Sequence, residues 1–219
     1  MVSAQPLERF AGILAHEIRN PLASATTNLA VACDLMEPSD PRTPFLRRAE
    51  SELDRIGDLI SACLGLATAG RIRRAECRID ELVGEVVARL DERQATTIEC
   101  RIPEDLRFAV DAGLLARCLE NLIENSIREC GAVECSIRID ACVDESGLTI
   151  GVEDSGPGVP MDRRDEIFEA FVSGGSGSGL GLCFVRLVTE AHGGSARVGQ
   201  AASGGARFEL SFAVPETVD

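Results

Sequence analysis

Gly147-Leu148-Thr149-Ile150-Gly151-Val152-Glu153-Asp154-Ser155-Gly156-Pro157-Gly158-Val159 reads as an apolar strand, Gly147–Glu153, that runs straight into a carboxylate and two glycines. Asp144-Glu145-Ser146 before it is a turn, and Val133–Cys142 before that is a second strand, so a hairpin is expected. Ser195–Gly199 and Ala206–Val214 form another hairpin around Ser203-Gly204-Gly205. Thr96–Ile102 alternates like a strand, Arg107–Val110 is a short one, and Ala75 to Ile79 suits a third. Helical spacing marks Asp80 to Leu90, opened by an acidic cap, then the long run Leu114–Cys130 and the apolar run Cys183–Ala191. Strands and helices mixed in this way predict an α+β sandwich, a sheet with helices on one face.

The first third of the chain has a different period. Leu7, Phe10, Ile13, Leu14, Ile18, Leu22 and Leu29 recur at helical spacing, with Pro21 inside the run. Glu37 to Pro44 is dense in Pro and Asp and reads as a loop. A second helical run carries Phe45, Leu46, Leu53, Ile56, Leu59, Ile60, Leu64 and Leu66. Two helices cannot enclose a core, because each apolar stripe has only one partner. A four-helix bundle made by two chains solves this, so a homodimer through the hairpin is expected. Ala69-Gly70-Arg71 is the junction, which divides the chain into residues 1–70 and 71–219.

Composition narrows the chemistry. The net charge is −14, and all 22 basic residues are arginine. An acidic chain is poorly suited to nucleic-acid backbones, so no nucleic-acid partner is expected. Without lysine there is no Walker A site, no protein-kinase strand lysine and no Schiff base. Trp and Tyr are absent too, which removes stacking platforms for single strands. The nine cysteines are odd in number and form no C-x-x-C pair, so reduced thiols in a cytoplasmic protein are expected. The N-terminus does not read as a signal peptide, and no stretch of about 18 apolar residues would span a membrane.

Four motifs carry functional groups. In His16-Glu17-Ile18-Arg19-Asn20-Pro21-Leu22, His16 and Asn20 share a helical face. A neutral imidazole is a competent nucleophile near neutrality, its pKa being about 6.5. The adjacent Glu17 can fix its tautomer and draw off a proton. In Asn121-Leu122-Ile123-Glu124-Asn125 two amides are again one turn apart; an amide oxygen suits Mg²⁺. Asp154, held by Gly156 and Gly158, can accept a hydrogen bond from an exocyclic amine, which suits adenine, although a plain turn gives a similar string. Gly174 to Leu182 is glycine-rich and precedes a helix, so its backbone N–H groups can face an anion. Its spacing fits neither the dinucleotide fingerprint nor the P-loop. Leu180 and Leu182 among the glycines are unlike a linker.

In this order, the motifs resemble the transmitter region of a two-component sensor histidine kinase, from about Glu8 to Val214. His16–Leu22 is similar to its H-box, Asn121–Asn125 to its N-box and Asp154–Val159 to its G1 box. Ile167-Phe168-Glu169-Ala170-Phe171 is similar to the F-box and Gly177–Leu182 to the G2 box. The resemblance implies a dimeric antiparallel helical hairpin followed by an ATP-binding α/β sandwich of the histidine kinase and gyrase type. It implies that His16 accepts the γ-phosphoryl group of ATP, with Glu17 as its orienting base and Asn20 serving a phosphatase step. Asn125 would bind Mg²⁺ with Asn121 nearby, and Asp154 would read the adenine amine in a pocket shaped by Gly156 and Gly158. Gly177, Gly179, Leu180 and Gly181 would flank the phosphates, while Phe168 and Phe171 would hinge a lid. The implied partner is the receiver domain of a response regulator, whose aspartate takes the phosphoryl group.

The lid between Phe171 and Gly179 is short, as in the nitrogen-regulation type, yet Val172, Ser173 and Gly174 stand where that type carries Thr-Thr-Lys. Arg163 and Arg164 are alternatives for the missing cation. The same lid admits a second reading, a degenerate transmitter that serves as a dimeric scaffold or phosphatase. A topoisomerase-like or chaperone-like ATPase of the same nucleotide fold would lack the His16 helix. No sensor domain is recognisable, so the expectation is a fragment or a kinase whose signal comes from another protein. His192 reads as a helix cap rather than a reacting group.

Overall fold

A computed structural model describes residues 18, 21–33, 35–36, 40–46, 48–49, 53, 56–57, 72–91, 96–131, 135–172 and 179–215. After the N-terminal segment come β1 (Ala75–Arg78), α1 (Ile79–Asp91), β2 (Thr96–Arg101), β3 (Arg107–Val110) and α2 (Ala112–Cys130). The strands β4 (Cys135–Asp144) and β5 (Gly147–Asp154) follow, then α3 (Gly181–Ala191), β6 (Ser195–Gln200) and β7 (Ala206–Ala213). Two single 3-10 turns, Met161–Arg163 and Glu166–Phe168, lie between β5 and α3. Strands β2-β4-β5-β7-β6 form one sheet in that order, antiparallel except for β2 beside β4, and β1 and β3 pair separately.

Register explains why the sheet has one covered face. Cys100, Ile139, Val152, Phe208 and Val198 lie side by side across all five strands. The next apolar row joins Ala141, Ile150, Leu210 and Ala196. One residue out of phase, Glu99, Arg138, Glu153 and Arg207 line up on the opposite face. Arg138 bridges Glu99 and Glu153 at 3.3 and 3.1 Å, and Arg207 bridges Glu153 and Asp140 at 2.8 and 2.7 Å. A period of two thus separates an apolar face from a charged one. Side-chain-free Gly151 leaves the space in which the Arg207 guanidinium lies, since a Cβ there would collide with it.

The helices bury their stripes on the apolar face. Leu115, Cys118, Leu119, Leu122, Ile123 and Ser126 of α2 are buried, as are Phe184, Val185 and Val188 of α3. Asp111 starts α2: its Oδ1 accepts from Leu114 N–H at 3.2 Å, the bond that an N-cap supplies. Its Oδ2 accepts from the Arg73 N–H at 3.1 Å, and its own N–H donates to His192 Nε2 at 3.2 Å. His192 is fully buried at the C-cap of α3, where Nδ1 lies 2.8 Å from the Val188 carbonyl. Burial holds its pKa below the ordinary 6.5. It is the cap that the sequence suggested.

Two expectations are corrected. Residues 43–46 are helical, so the loop written to Pro44 ends at Arg42; Asp40 Oδ1 accepts the Arg42 N–H at 2.8 Å and closes the turn. Pro44 then sits in a first helical turn, where its missing N–H costs nothing. The cysteines are not all reduced: Cys130 and Cys135 form a disulfide across Cα atoms 5.7 Å apart. Gly131, at φ 67°, turns the chain back from the end of α2 and brings the two together without a C-x-x-C spacing.

Residues 21–33 are helical, and a Cβ on Gly57 would sit 3.3 Å from Leu22 Cδ2, so the two N-terminal runs touch there. Among the described residues, no helix is long and apolar enough to cross a membrane.

Candidate nucleotide site

The end of β5 fixes Asp154. Its side chain is buried, and Oδ1 accepts from the backbone N–H of Gly156 at 2.9 Å and of Ala206 at 3.1 Å. Ser126 on α2 donates to Oδ2 at 3.2 Å. A carboxylate has about four acceptor positions, so these three bonds hold it and leave one for a donor in the cleft that it lines. Behind it, Ser203 donates to the Asp154 carbonyl at 3.1 Å, and a Cβ on Gly205 would strike that same carbonyl. Gly158, at φ 74°, bends the following loop; a Cβ there would lie 3.2 Å from the Gly204 carbonyl.

Helix α2 presents the amides. Asn121 spends its N–H on the Arg117 carbonyl at 2.8 Å, which leaves Oδ1 facing Gly181. A Cβ on Gly181 would come within 2.7 Å of that oxygen, so the glycine sets how closely α3 approaches α2. Asn125 Oδ1 accepts from the Arg128 guanidinium at 2.9 Å. The first turn of α3 has no side-chain cap, and its leading residues Gly181 and Leu182 line the cleft.

The result is a cavity of about 170 Å³ between α2, the β5 end, the 3-10 turns and the start of α3. Of the residues proposed from sequence, Asn121, Asn125, Asp154, Gly158, Gly179 and Gly181 line it. Gly156 lies behind Asp154 as the donor that holds it. Phe168 is buried edge-on against Phe208, with ring centres 6.4 Å apart. Phe171 is exposed at φ 67°, and its N–H donates to the Gly179 carbonyl at 3.0 Å, which draws the two ends of the short lid together. Leu180 is buried, its carbonyl accepting from Phe184 N–H at 2.8 Å, so its side chain belongs to the core rather than to the cleft. His16, Glu17, Asn20 and Gly177 lie outside the described residues.

Sequence reading missed Arg128 and Phe208, which line the cavity, and left Arg163 and Arg164 as alternatives, of which Arg163 lines it. Arg128 carried a signal, since it stands one turn beyond Asn125 on the same face. Phe208 reads only as a strand residue and reaches the site through the sheet. Among the described residues no group of three or more His, Cys, Asp or Glu could hold a metal. The oxygens of Asn125 and Glu124 at the cleft fit a Mg²⁺ ion that also takes phosphate and water oxygens.

Residues 110–216 match the family model described as histidine kinase-, DNA gyrase B- and HSP90-like ATPase, and residues 7–72 match the phospho-acceptor domain of histidine kinases. Together the two matches, in this order, mark the chain as a two-component histidine kinase transmitter region. It is similar to the sensor-type histidine kinase PrrB of Mycobacterium leprae, 31% identical over 94% of this chain and 48% of that protein. It is also similar to sensor protein KdpD of Escherichia coli, 29% identical over 91% of this chain and 23% of that protein. Among solved structures, full-length ShkA in complex with AMPPNP matches 95% of this chain and 47% of its own, at 27% identity and a TM-score of 0.66. The ATP-binding domain of PrrB from Mycobacterium tuberculosis matches 66% of this chain and 99% of its own, at 23% identity and a TM-score of 0.57, a likeness of fold. The chain spans about half the length of the PrrB relatives it matches.

Proposed function

We propose that this chain is a histidine kinase core that autophosphorylates His16 from ATP and passes the phosphoryl group to an aspartate of a response-regulator receiver domain. The observation that carries this reading is one cleft lined by Asp154, Asn121, Asn125, Gly179 and Gly181, in a chain that also matches the phospho-acceptor family model. The remaining acceptor position of Asp154 takes the adenine amine. The first turn of α3 and the Arg128 guanidinium face the phosphates. Asn125 would hold Mg²⁺, which would supply charge neutralisation to the phosphates. The imidazole nitrogen of His16 attacks the γ-phosphorus, the bond to the β–γ bridging oxygen breaks and ADP leaves. Glu17 takes the imidazole proton, and Asn20 serves dephosphorylation of the partner. Transfer of this kind is chiefly positioning and charge neutralisation.

Residues 1–70 form the dimerisation and phosphotransfer hairpin and residues 71–219 the catalytic domain. The dimer is a homodimer through the hairpin, and the core acts in the cytoplasm, where response regulators and ATP are found together. Arg128 at the cleft weighs against the scaffold reading, since it supplies positive charge that the lid lacks.

Incubation with γ-labelled ATP and Mg²⁺ beside a His16→Gln variant tests the proposal. Acid-labile, base-stable label in the parent and none in the variant, at unchanged ATP binding, is expected. Label retained by the variant refutes His16 as the acceptor, and no label on a nucleotide-binding parent favours the scaffold.

A further inference from the structure

The stretch between the F-box-like and G2-box-like motifs carries no positive charge: residues 172–178 are Val, Ser, Gly, Gly, Ser, Gly and Ser. Up to four negative charges of a nucleoside triphosphate then need cations from elsewhere. Two guanidinium groups line the cavity, Arg128 and Arg163. Arg128 already donates to Asn125 Oδ1 at 2.9 Å. Arg163 ends the 3-10 turn Met161–Arg163.

The neighbouring residue explains its direction. Arg164 donates from Nε to the Val159 carbonyl at 3.2 Å, which fastens the turn to the loop that follows Asp154. With Arg164 committed there, Arg163 is left exposed at the cleft with Pro160, Ile167, Val172 and Gly179. Asp162, Asp165 and Glu166 are adjacent in sequence, yet none of them forms an ion pair with Arg163 among the described residues. An arginine without a carboxylate partner, facing a cleft built for a nucleotide, keeps its planar fork of donors for phosphate oxygens.

We propose that Arg163 binds the polyphosphate of the nucleotide and replaces the cation missing from the lid, while Arg164 is the positioning residue that aims it. This rests on the reading of the cleft as an ATP site, and the experiment separates the two. Affinities of the full chain for ATP, ADP and adenosine are measured by calorimetry for the parent, Arg163→Gln and Arg163→Lys, with thermal unfolding as a control on the fold.

The expected result is a loss of roughly tenfold or more in ATP affinity for R163Q, partial recovery in R163K and less than about twofold change for adenosine. Unchanged ATP affinity in R163Q at an unchanged unfolding midpoint overturns the proposal. An equal loss for adenosine overturns it too, because Arg163 then acts on the base or the fold. A parent chain that binds none of the three ligands refutes the nucleotide reading itself, and the inference with it.

Discussion

The N-terminal segment and the domain after it use similar residues to opposite effect. Among the described residues, every buried apolar residue lies at or beyond Ile79. Ahead of it, Val31, Leu35 and Phe45 are 51%, 82% and 76% exposed. The later domain solves its burial problem within one chain, because a sheet face and three helices enclose each other. The N-terminal runs touch at Leu22 and Gly57, and the described apolar side chains there stay exposed, which suits the proposed pairing with a second copy of the hairpin. Self-sufficiency in one region and incompleteness in the other suit a machine whose acceptor and catalyst sit on separate parts.

The comparison breaks first at the core. Phe208 is 1% exposed, between the Phe168 ring and the sheet; replacing it with Ala is expected to cost about 3–5 kcal/mol in denaturant unfolding. A loss under about 1 kcal/mol would mean that the enclosed layer is far looser than its burial implies.

A smaller effect is expected from pH. His192 is buried as a neutral ring, with Arg74 also disfavouring its charge while the Val188 carbonyl and Asp111 favour it. Its folded pKa is depressed, so the unfolded chain binds the extra proton first and stability is lost as pH falls below about 6.5. Denaturation midpoints between pH 8 and pH 5.5 should show this slope in the parent and not in His192→Asn. Persistence of the slope in that variant would assign it to other groups.

The smallest effect on folding belongs to the hairpin. Phe45→Ala should leave unfolding of the later domain within about 0.5 kcal/mol of the parent while shifting sedimentation from dimer toward monomer. A lowered unfolding midpoint with the dimer intact would reverse the assignment of the two regions.

Local pattern carried most of the architecture. Arg107–Val110 is the same strand by alternation and by structure, and β2, β5 and β6 differ from their expected ends by a single residue. Alternation was readable because one face of the sheet is apolar and the other charged, as in Ile139 beside Arg138. The cleft was legible where a tight backbone marks its lining, at Asp154, Gly158 and Gly181. It was illegible where a tertiary contact decides. The choice between Arg163 and Arg164 turns on the Val159 carbonyl, and the pairing of Cys130 with Cys135 turns on the φ of Gly131. Leu180 sits among cleft glycines in sequence, yet packing draws its side chain into the core.

Asp111 gives the linker a mechanical meaning. Its two oxygens hold Arg73 and the first turn of α2, its N–H holds the end of α3 through His192, and Arg74 reaches the Ala213 carbonyl at 3.2 Å. The chain arriving from the hairpin is therefore riveted to the domain at the cap of the helix that bears Asn121 and Asn125. Whatever reaches the domain through Arg73 and Arg74 meets it at the root of that helix, so the joint is anchored where the cleft begins.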